Sequence, residues 1–297
     1  MRSARAVLLS LALLLLAVAP ALAKPPMWTV HGKGATIVLF GSVHILPRGI
    51  DWEPDGLRRA LAQADELWFE TPIDPATMLD TAREALAQGL LPPGQSLSAL
   101  LDEDGRARLA RAAQELHVPA AELDHLKPWL AELSVGEAAY ARDGATADQG
   151  VERQLADAAP KAVRRNFETP QEQIAIFAGA STADQVASLE DSLKDLQDDP
   201  GQTKRLIDAW LAADLKGIDK EGVQEMKAAS PALFKALLTD RNARWLATLR
   251  QRLDAPRTDA RRPDRVVVVV GVGHLIGPGG LPALLRAQGL RVDGPKE

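Results

Sequence analysis

The same four-residue turn occurs twice in this chain, each time directly after a run of apolar residues typical of a strand. Residues 41–44 (Gly-Ser-Val-His) follow the run 36–40, and residues 271–274 (Gly-Val-Gly-His) follow the run 266–270. Glycine gives an open turn, and histidine is a side chain suited to binding a metal or carrying a proton. The repeated Gly-x-x-His turn therefore predicts one site at one edge of a sheet.

The segments around the two turns share one order of elements. Two strands, over 27–31 and 35–40, lead to the first turn, which is followed by a helix over 55–64 and a strand over 66–70. After the second turn come a helix over 281–288 and a last strand over 290–292. Strands that alternate with helices in this way indicate β-α-β units. We predict an α/β (α+β) fold, with a mixed central sheet formed from two β-α-β halves at the chain ends.

Between the two halves, the sequence pattern is helical. Stretches such as 97–116 and 237–253 have the apolar spacing of amphipathic helices, and prolines separate the helices from one another. This pattern predicts a large helical insertion that caps the sheet. The predicted single domain covers 24–297, with its sheet core in about 24–74 and 262–297 and its helical lobe in about 75–261.

The first 23 residues have the pattern of a secretory signal peptide. Two arginines precede an apolar run over 6–19, and Ala21 and Ala23 fit an A-x-A cleavage site. The alternative is a retained membrane anchor, but the apolar run is short for a bilayer span. We predict cleavage before Lys24, no stable membrane span in the mature chain, and a periplasmic or extracellular location.

Composition narrows the classes of function. The chain has no cysteine, which excludes disulfides, thiol catalysis and zinc–thiolate sites. It carries 35 Lys and Arg against 40 Asp and Glu, and it has no basic cluster. Nucleic acid is therefore not an expected partner.

Two histidines and one glutamate are the candidate catalytic residues. His44 and His274 come from the paired turns, and Glu70 ends the strand that follows the first turn. Two neutral imidazoles and a carboxylate can hold a divalent ion and leave one position open for a water, whose pKa the ion lowers. Mn, Co or Zn suits this ligand set. The same residues also support a metal-free reaction, with Glu70 as base and the histidines as acid and oxyanion stabiliser.

Six segments spread over nearly the whole mature length resemble the TraB/GumN family, whose animal relatives include the Tiki proteases. They are LFGSVHIL at 39–46, WFE at 68–70, KPW at 127–129, ETPQEQ at 168–173, DRNARW at 240–245 and VGVGHLIGP at 270–278. The resemblance implies a fold related to that of erythromycin esterase and metal-dependent proteolysis, as shown for some relatives. It also implies a paired Gly-x-x-His site completed by a glutamate, which falls on Gly41, His44, Glu70, Gly271 and His274.

The resemblance also bears on residues outside the two turns. The family's Arg-Asn pair falls on Arg241 and Asn242, where Arg241 is expected either to hold a substrate carboxylate or carbonyl, or to form a buried ion pair. Lys127 and Trp129 are expected to pack or to position the lobe. Many relatives have the sequence Gly-Val-Asp where residues 150–152 of this chain are Gly-Val-Glu, so Glu152 takes the place of the aspartate. A helix-capping or supporting role tolerates the longer side chain, whereas a coordinating role puts activity in doubt.

Three functions follow as predictions. The first is an exported, metal-dependent hydrolase, with a peptidase acting on a peptide or protein segment as the preferred form. The second is a non-enzymatic binding protein whose cleft holds a peptide, a signal or a glycan. The third, hydrolysis of a small ester or lactone, follows from the likeness to erythromycin esterase. The substrate, the identity of the metal and the oligomeric state do not follow from the sequence.

Overall fold

The computed structural model describes residues 24–296, so the predicted signal peptide lies outside the described residues. Six strands form the central sheet in the order β6-β4-β7-β2-β1-β8, and β3 pairs with β5 in a small separate ladder. The strands are β1 (Met27–His31), β2 (Ala35–Ser42), β3 (Leu46–Pro47), β4 (Glu66–Phe69), β5 (Ala145–Thr146), β6 (Val163–Asn166), β7 (Asp264–Gly271) and β8 (Arg291–Asp293).

Helices form the rest of the ordered structure. They are α1 (Asp55–Ala62), α2 (Pro75–Gly89), α3 (Glu103–Glu115), α4 (Ala120–Leu123), α5 (Pro128–Arg142), α6 (Val151–Leu155), α7 (Pro170–Ala178), α8 (Thr182–Asp198), α9 (Gln202–Leu211), α10 (Leu215–Ile218), α11 (Glu225–Ala229), α12 (Pro231–Phe234), α13 (Asp240–Asp254) and α14 (Leu281–Ala287). Two π-helical turns occur at Asp219–Gln224 and Lys235–Thr239, and two 3₁₀ turns at Ala147–Gln149 and Val272–Leu275. In residues 24–296, no helix is both long and apolar enough to cross a membrane.

Strands from both ends of the chain share the central sheet. β2 pairs in parallel with β7, and β4 pairs in parallel with both β7 and β6. β1 is antiparallel to β2 and to β8. The valines of β7 are buried on both faces, as expected of a central parallel strand. The predicted fold class is confirmed: a mixed sheet joins the two chain ends, and most of the intervening chain is helical.

The intervening segment is mostly helical, but it also contains short strands. β6 lies within it and adds an edge strand beside β4. Its sequence, Val-Arg-Arg-Asn, is exposed throughout and lacks the apolar alternation by which strands are recognised. Position next to β4, rather than apolar burial, makes this segment a strand.

Two predicted helices are shorter or less regular than the apolar spacing suggests. In the stretch 97–116, the α-helix begins only at Glu103, because the Asp102 side chain accepts a hydrogen bond from the Gly105 N–H and caps it there. In the stretch 237–253, the first turn is π-helical and α13 begins at Asp240. The π-helical turn lines the cavity described below, a common setting for this geometry.

Buried apolar side chains form two clusters. The larger one packs both faces of the sheet against the surrounding helices. The smaller one lies among α3, α4, α5 and α8, with Leu109, Leu123, Val135 and Leu189 as members. The helical lobe therefore has an apolar interior of its own and forms a stable wall over the sheet edge.

Candidate functional site

The carboxyl ends of the parallel strands meet at one edge of the sheet, as the topology requires. Glu70 directly follows β4, His44 lies two residues after β2, and His274 lies in the 3₁₀ turn after β7. These three residues, together with Arg241 and Gly271, line a cavity of about 710 Å³ between the sheet edge and the helical lobe. The structure thus places the predicted catalytic residues in one cavity.

Arg241 is the centre of the polar network on the cavity floor. It is buried on α13. Its Nη2 donates to Glu70 Oε2 (2.6 Å), and its Nη1 donates to His274 Nε2 (3.1 Å). Nη1 also donates to the Leu237 carbonyl (3.2 Å). Nε donates to both carboxylate oxygens of Glu168 (2.9 and 3.1 Å). Of the five guanidinium N–H groups, this leaves one on Nη2 without a partner among the described residues.

Asn242 fixes the tautomer of His274. Its Nδ2 donates to the carbonyls of His274 (3.2 Å) and Gly279 (2.9 Å), so its Oδ1 is the acceptor that faces His274 Nδ1 (2.7 Å). His274 therefore carries its hydrogen on Nδ1, and the lone pair of Nε2 accepts from Arg241. Burial lowers the pKa of His274 to about 3, which makes the ring neutral at physiological pH.

His44 has the opposite charge state. Its Nδ1 pairs with Glu152 Oε1 (2.8 Å), and Glu152 also accepts a hydrogen bond from the Ser42 hydroxyl. The negative charge of Glu152 raises the pKa of His44 to about 9, and the side chain itself is 63% exposed. The ring is thus an imidazolium, and its Nε2 faces the Gly271 backbone inside the cavity. Glu152 supports His44 through this ion pair, so a glutamate is compatible with the supporting role at this position.

Glu70 is ionised at physiological pH. Burial by itself raises the pKa of its carboxyl group, but His274, Arg241, His44 and the N–H of Gly271 together lower it to about 2. Oε1 accepts from that N–H (2.7 Å) and lies 3.7 Å from His274 Nε2. The cavity floor therefore combines an anionic carboxylate, a neutral imidazole, an imidazolium and a guanidinium.

The three predicted metal ligands stand together, yet the lone pairs that a metal would use are already engaged. His274 Nε2 and Glu70 Oε2 both accept hydrogen bonds from Arg241, so the guanidinium takes the side from which a cation would bind them. Among residues 24–296, no group of three or more His, Cys, Asp or Glu side chains is arranged to hold a metal ion. In this arrangement the residues do not fit a three-ligand metal centre, and the divalent ion stays a prediction.

The two predicted turn glycines have different functions. A Cβ on Gly41 would lie 2.8 Å from Val272 Cγ2 and 3.1 Å from its Cα, so this glycine lets the two turns pack against each other. A Cβ on Gly271 would lie 3.3 Å from both Glu70 Oε1 and His44 Nε2. Gly271 therefore keeps open the space between the carboxylate and the imidazolium.

We expect Gly271→Ala to displace Glu70 and His44 by a few tenths of an ångström, because the added methyl group would lie 3.3 Å from a side-chain atom of each. The backbone at residue 271 suits alanine, so the thermal midpoint should change little. The matched control is Gly273→Ala, whose Cβ would make an ordinary contact, 3.6 Å from Leu238. An NMR titration of the His44 ring reports the displacement directly. An unchanged titration in the Gly271 variant would contradict this account.

The opposite shifts of the two histidines predict a stability maximum near pH 6.5, the ordinary histidine pKa. The folded pKa of His274 is lower, so as pH falls below 6.5 the unfolded chain gains the proton and the free energy of unfolding falls. The folded pKa of His44 is higher, so its contribution is present below pH 6.5 and lost as pH rises towards 9. Urea unfolding at about pH 5, 6.5 and 9 measures both slopes. His274→Gln should flatten the acid side and His44→Gln the alkaline side; identical slopes in both variants would show that other groups set the profile.

Two site residues are missing from the sequence-based predictions. Glu168 follows β6 by two residues and is buried against Arg241, Arg244 and the indole N–H of Trp245. Two signals were available: Glu168 begins the family-like segment at 168–173, and it follows a strand, which itself was not predicted. Ser42 lies inside the first turn and bonds to Glu152. Of the two lobe residues, Trp129 is buried and stacks on Phe177, as expected of a packing residue.

Comparisons with known proteins identify the family of this chain. Residues 26–294 match the family model described as the TraB/PrgY/gumN family. The uncharacterized protein YbaP of Escherichia coli (strain K12) is 25% identical over 250 residues, which cover 84% of this chain and 87% of YbaP. The protein of the same name in Shigella flexneri matches to the same extent. No solved structure matches this chain.

Proposed function

This chain belongs to the TraB/PrgY/gumN family, and from that premise we propose that the cavity at the sheet edge is the active site of a hydrolase that cleaves a peptide or protein segment. One observation carries the proposal. The ionised Glu70 and the protonated His44 lie on either side of Gly271 in one cavity, so a base and an acid face the same small space. This pairing is what addition of water to a carbonyl group requires.

The residues of the chain supply each part of the reaction. Glu70 orients a water molecule and takes its proton while the water oxygen bonds to the carbonyl carbon. With a pKa of about 2, Glu70 is a weak base, so strong stabilisation of the developing oxyanion is essential. The Nε2–H of His44 and the remaining Nη2 N–H of Arg241 supply it. The C–N bond then breaks as the leaving amine receives from Glu70 the proton that Glu70 took from the water, which returns Glu70 to its ionised form.

The supporting residues keep these groups in their charge states. Glu152 orients the His44 ring and stabilises its positive charge. Asn242 fixes the neutral tautomer of His274, whose Nε2 in turn orients Arg241. A network fixed in this way has its dipoles in place before the reaction begins, which lowers the cost of charge movement.

A bound Mn, Co or Zn ion is a second proposal for the same residues. It rests on the convergence of two imidazoles and a carboxylate, and it requires Arg241 to release His274 and Glu70 first. Such an ion would supply a water of lowered pKa. Export to the periplasm or to the outside of the cell remains part of the proposed function and rests on the sequence of residues 1–23.

The test is a hydrolysis screen of the mature chain, residues 24–297, purified without chelator, on peptides and small esters side by side. We expect cleavage of peptides that is lost in the His44→Ala, His274→Ala double variant. Retention of cleavage in that double variant would refute the proposed site. Elemental analysis of the same samples decides the metal question: about one ion per chain, lost in both single variants, would favour the metal-dependent form. Tight binding without turnover would favour the binding protein, and cleavage of esters alone the esterase.

A further inference from the structure

The two walls of the cavity differ in chemistry. The wall at the sheet edge carries the charged residues described above, together with Asp148 and Arg153. In the described chain, the facing wall from α2, α5, α7, α9, α10 and α11 contributes no charged side chain. It presents apolar residues such as Leu133, Phe177 and Met226. A ligand that fills the cavity therefore places a polar, reactive group at the sheet edge and an apolar body against the lobe.

The apolar wall continues out of the cavity along α2. Met78, which lines the cavity, is 46% exposed, and its neighbour Leu79 is 53% exposed. Leu86 lies two turns further on, on the same helix face as Leu79, and Leu90 follows at the end of the helix; both are about half exposed. We call Leu79, Leu86 and Leu90 the α2 stripe. Large apolar side chains aligned in this way on the surface indicate a binding surface.

We propose that the ligand of this cavity is an extended polypeptide segment with large apolar side chains, which occupies the cavity and continues over the α2 stripe. The proposal rests on the proposed function and specifies its substrate class. A compact ester fits the cavity volume but leaves the α2 stripe without a partner. A glycan leaves the leucines of the α2 stripe without an apolar partner. An extended chain matches both, because alternate side chains enter the cavity while the next residues pass over the helix.

Binding, measured apart from cleavage, tests the proposal. Two fluorescein-labelled octapeptides of equal charge are compared, one rich in Leu and Phe and one with Ser and Asn in their place. Fluorescence anisotropy is recorded on the His44→Ala variant, in which turnover is blocked and the lobe wall is intact. We expect the apolar peptide to bind at least about tenfold more tightly.

Three substitutions to aspartate then locate the contact. Leu133→Asp in the cavity should weaken binding of the apolar peptide by about tenfold or more, and Leu79→Asp on the stripe by about threefold. Val163→Asp is the matched control, because Val163 is equally exposed (56%) but lies on the edge strand β6. It should leave binding unchanged. Circular dichroism confirms that each variant is folded.

Several results would overturn the proposal: equal affinities for the two peptides, an effect of Val163→Asp as large as that of Leu79→Asp, or binding of a labelled fatty-acyl ester but of neither peptide. Failure of the proposed function looks different. Apolar peptides that bind with the expected pattern but are never cleaved by the wild-type protein would remove the hydrolase and leave this binding site. Cleavage restricted to polar peptides would refute this binding site and leave the proposed hydrolase.

Discussion

Replacing Arg241 by methionine is expected to lower the free energy of unfolding by about 3–5 kcal/mol, the range observed when one partner of a buried ion pair is removed. The substitution preserves most of the side-chain volume but leaves Glu70 and Glu168 buried without their common cation. It also removes the donor to His274 Nε2. Urea unfolding followed by far-UV circular dichroism measures the change.

Arg244→Met is the matched control for this prediction. Arg244 lies on the same helix, α13, and pairs with the same carboxylate, Glu168 (3.0 Å), but its side chain is 56% exposed. Solvent screens the exposed guanidinium, and Glu168 keeps Arg241 as a partner, so this variant should lose only about 0–1 kcal/mol. Equal losses in the two variants would show that burial of Arg241 is not the cause. Adding Glu168→Gln to Arg241→Met should recover part of the loss, because it removes a buried charge whose remaining cationic partner is the exposed Arg244.

Glu70→Gln is expected to lower kcat/KM by about 100-fold or more, since it removes the base of the proposed reaction. The amide keeps an oxygen to accept from the Gly271 N–H, and it is nearly the same size as the carboxylate. The kinetic effect should therefore be much larger than can be explained by any change in folded fraction. Steady-state kinetics on a cleaved peptide, corrected for the folded fraction, measures it.

Glu66→Gln is the control on the same strand. Glu66 begins β4, where it is as buried as Glu70 and pairs with Arg165 (2.9 Å) and Arg252 (3.0 Å). Its loss should destabilise the fold yet leave kcat/KM near the wild-type value, because the start of β4 is the end remote from the cavity. A loss of activity in the Glu66 variant equal to that in the Glu70 variant would mean that damage to β4, and not a missing base, explains both.

The strands around the paired turns are predictable from sequence because their apolar runs end at glycines. β1 has the predicted bounds, Met27 and His31, and the predicted valine run forms the centre of β7. β6, in contrast, cannot be predicted from its own sequence. Its polar side chains carry no burial pattern, and only its place beside β4 makes it a strand. Local periodicity can identify a buried strand but not an edge that the sheet itself imposes.

The candidate site likewise has features that the sequence predicts and features that it does not. Residues that follow recognisable strands, His44, Glu70 and His274, were predicted to meet, and the structure brings them together. The position of Arg241 could be found, but not its partners, since these depend on where Glu168 emerges from β6. The different charge states of the two histidines, one neutral and one positive, also had no sequence signal. They arise from Glu152 beside one ring and from burial of the other.

The register of the sheet has a consequence for the order of folding. Gly41 on β2 lies beside Val270 on β7, and β7 also separates β2 from β4. Pairing of β2 with β7 closes a long loop of chain. This step is slow, because the conformational entropy of the loop is lost before the contacts between the strands form. A ribosome-bound or truncated chain that ends before β7 has a gap between the strand that leads to His44 and the strand that leads to Glu70. The candidate site is therefore completed only when the last segment of the chain, which also carries His274, is in place.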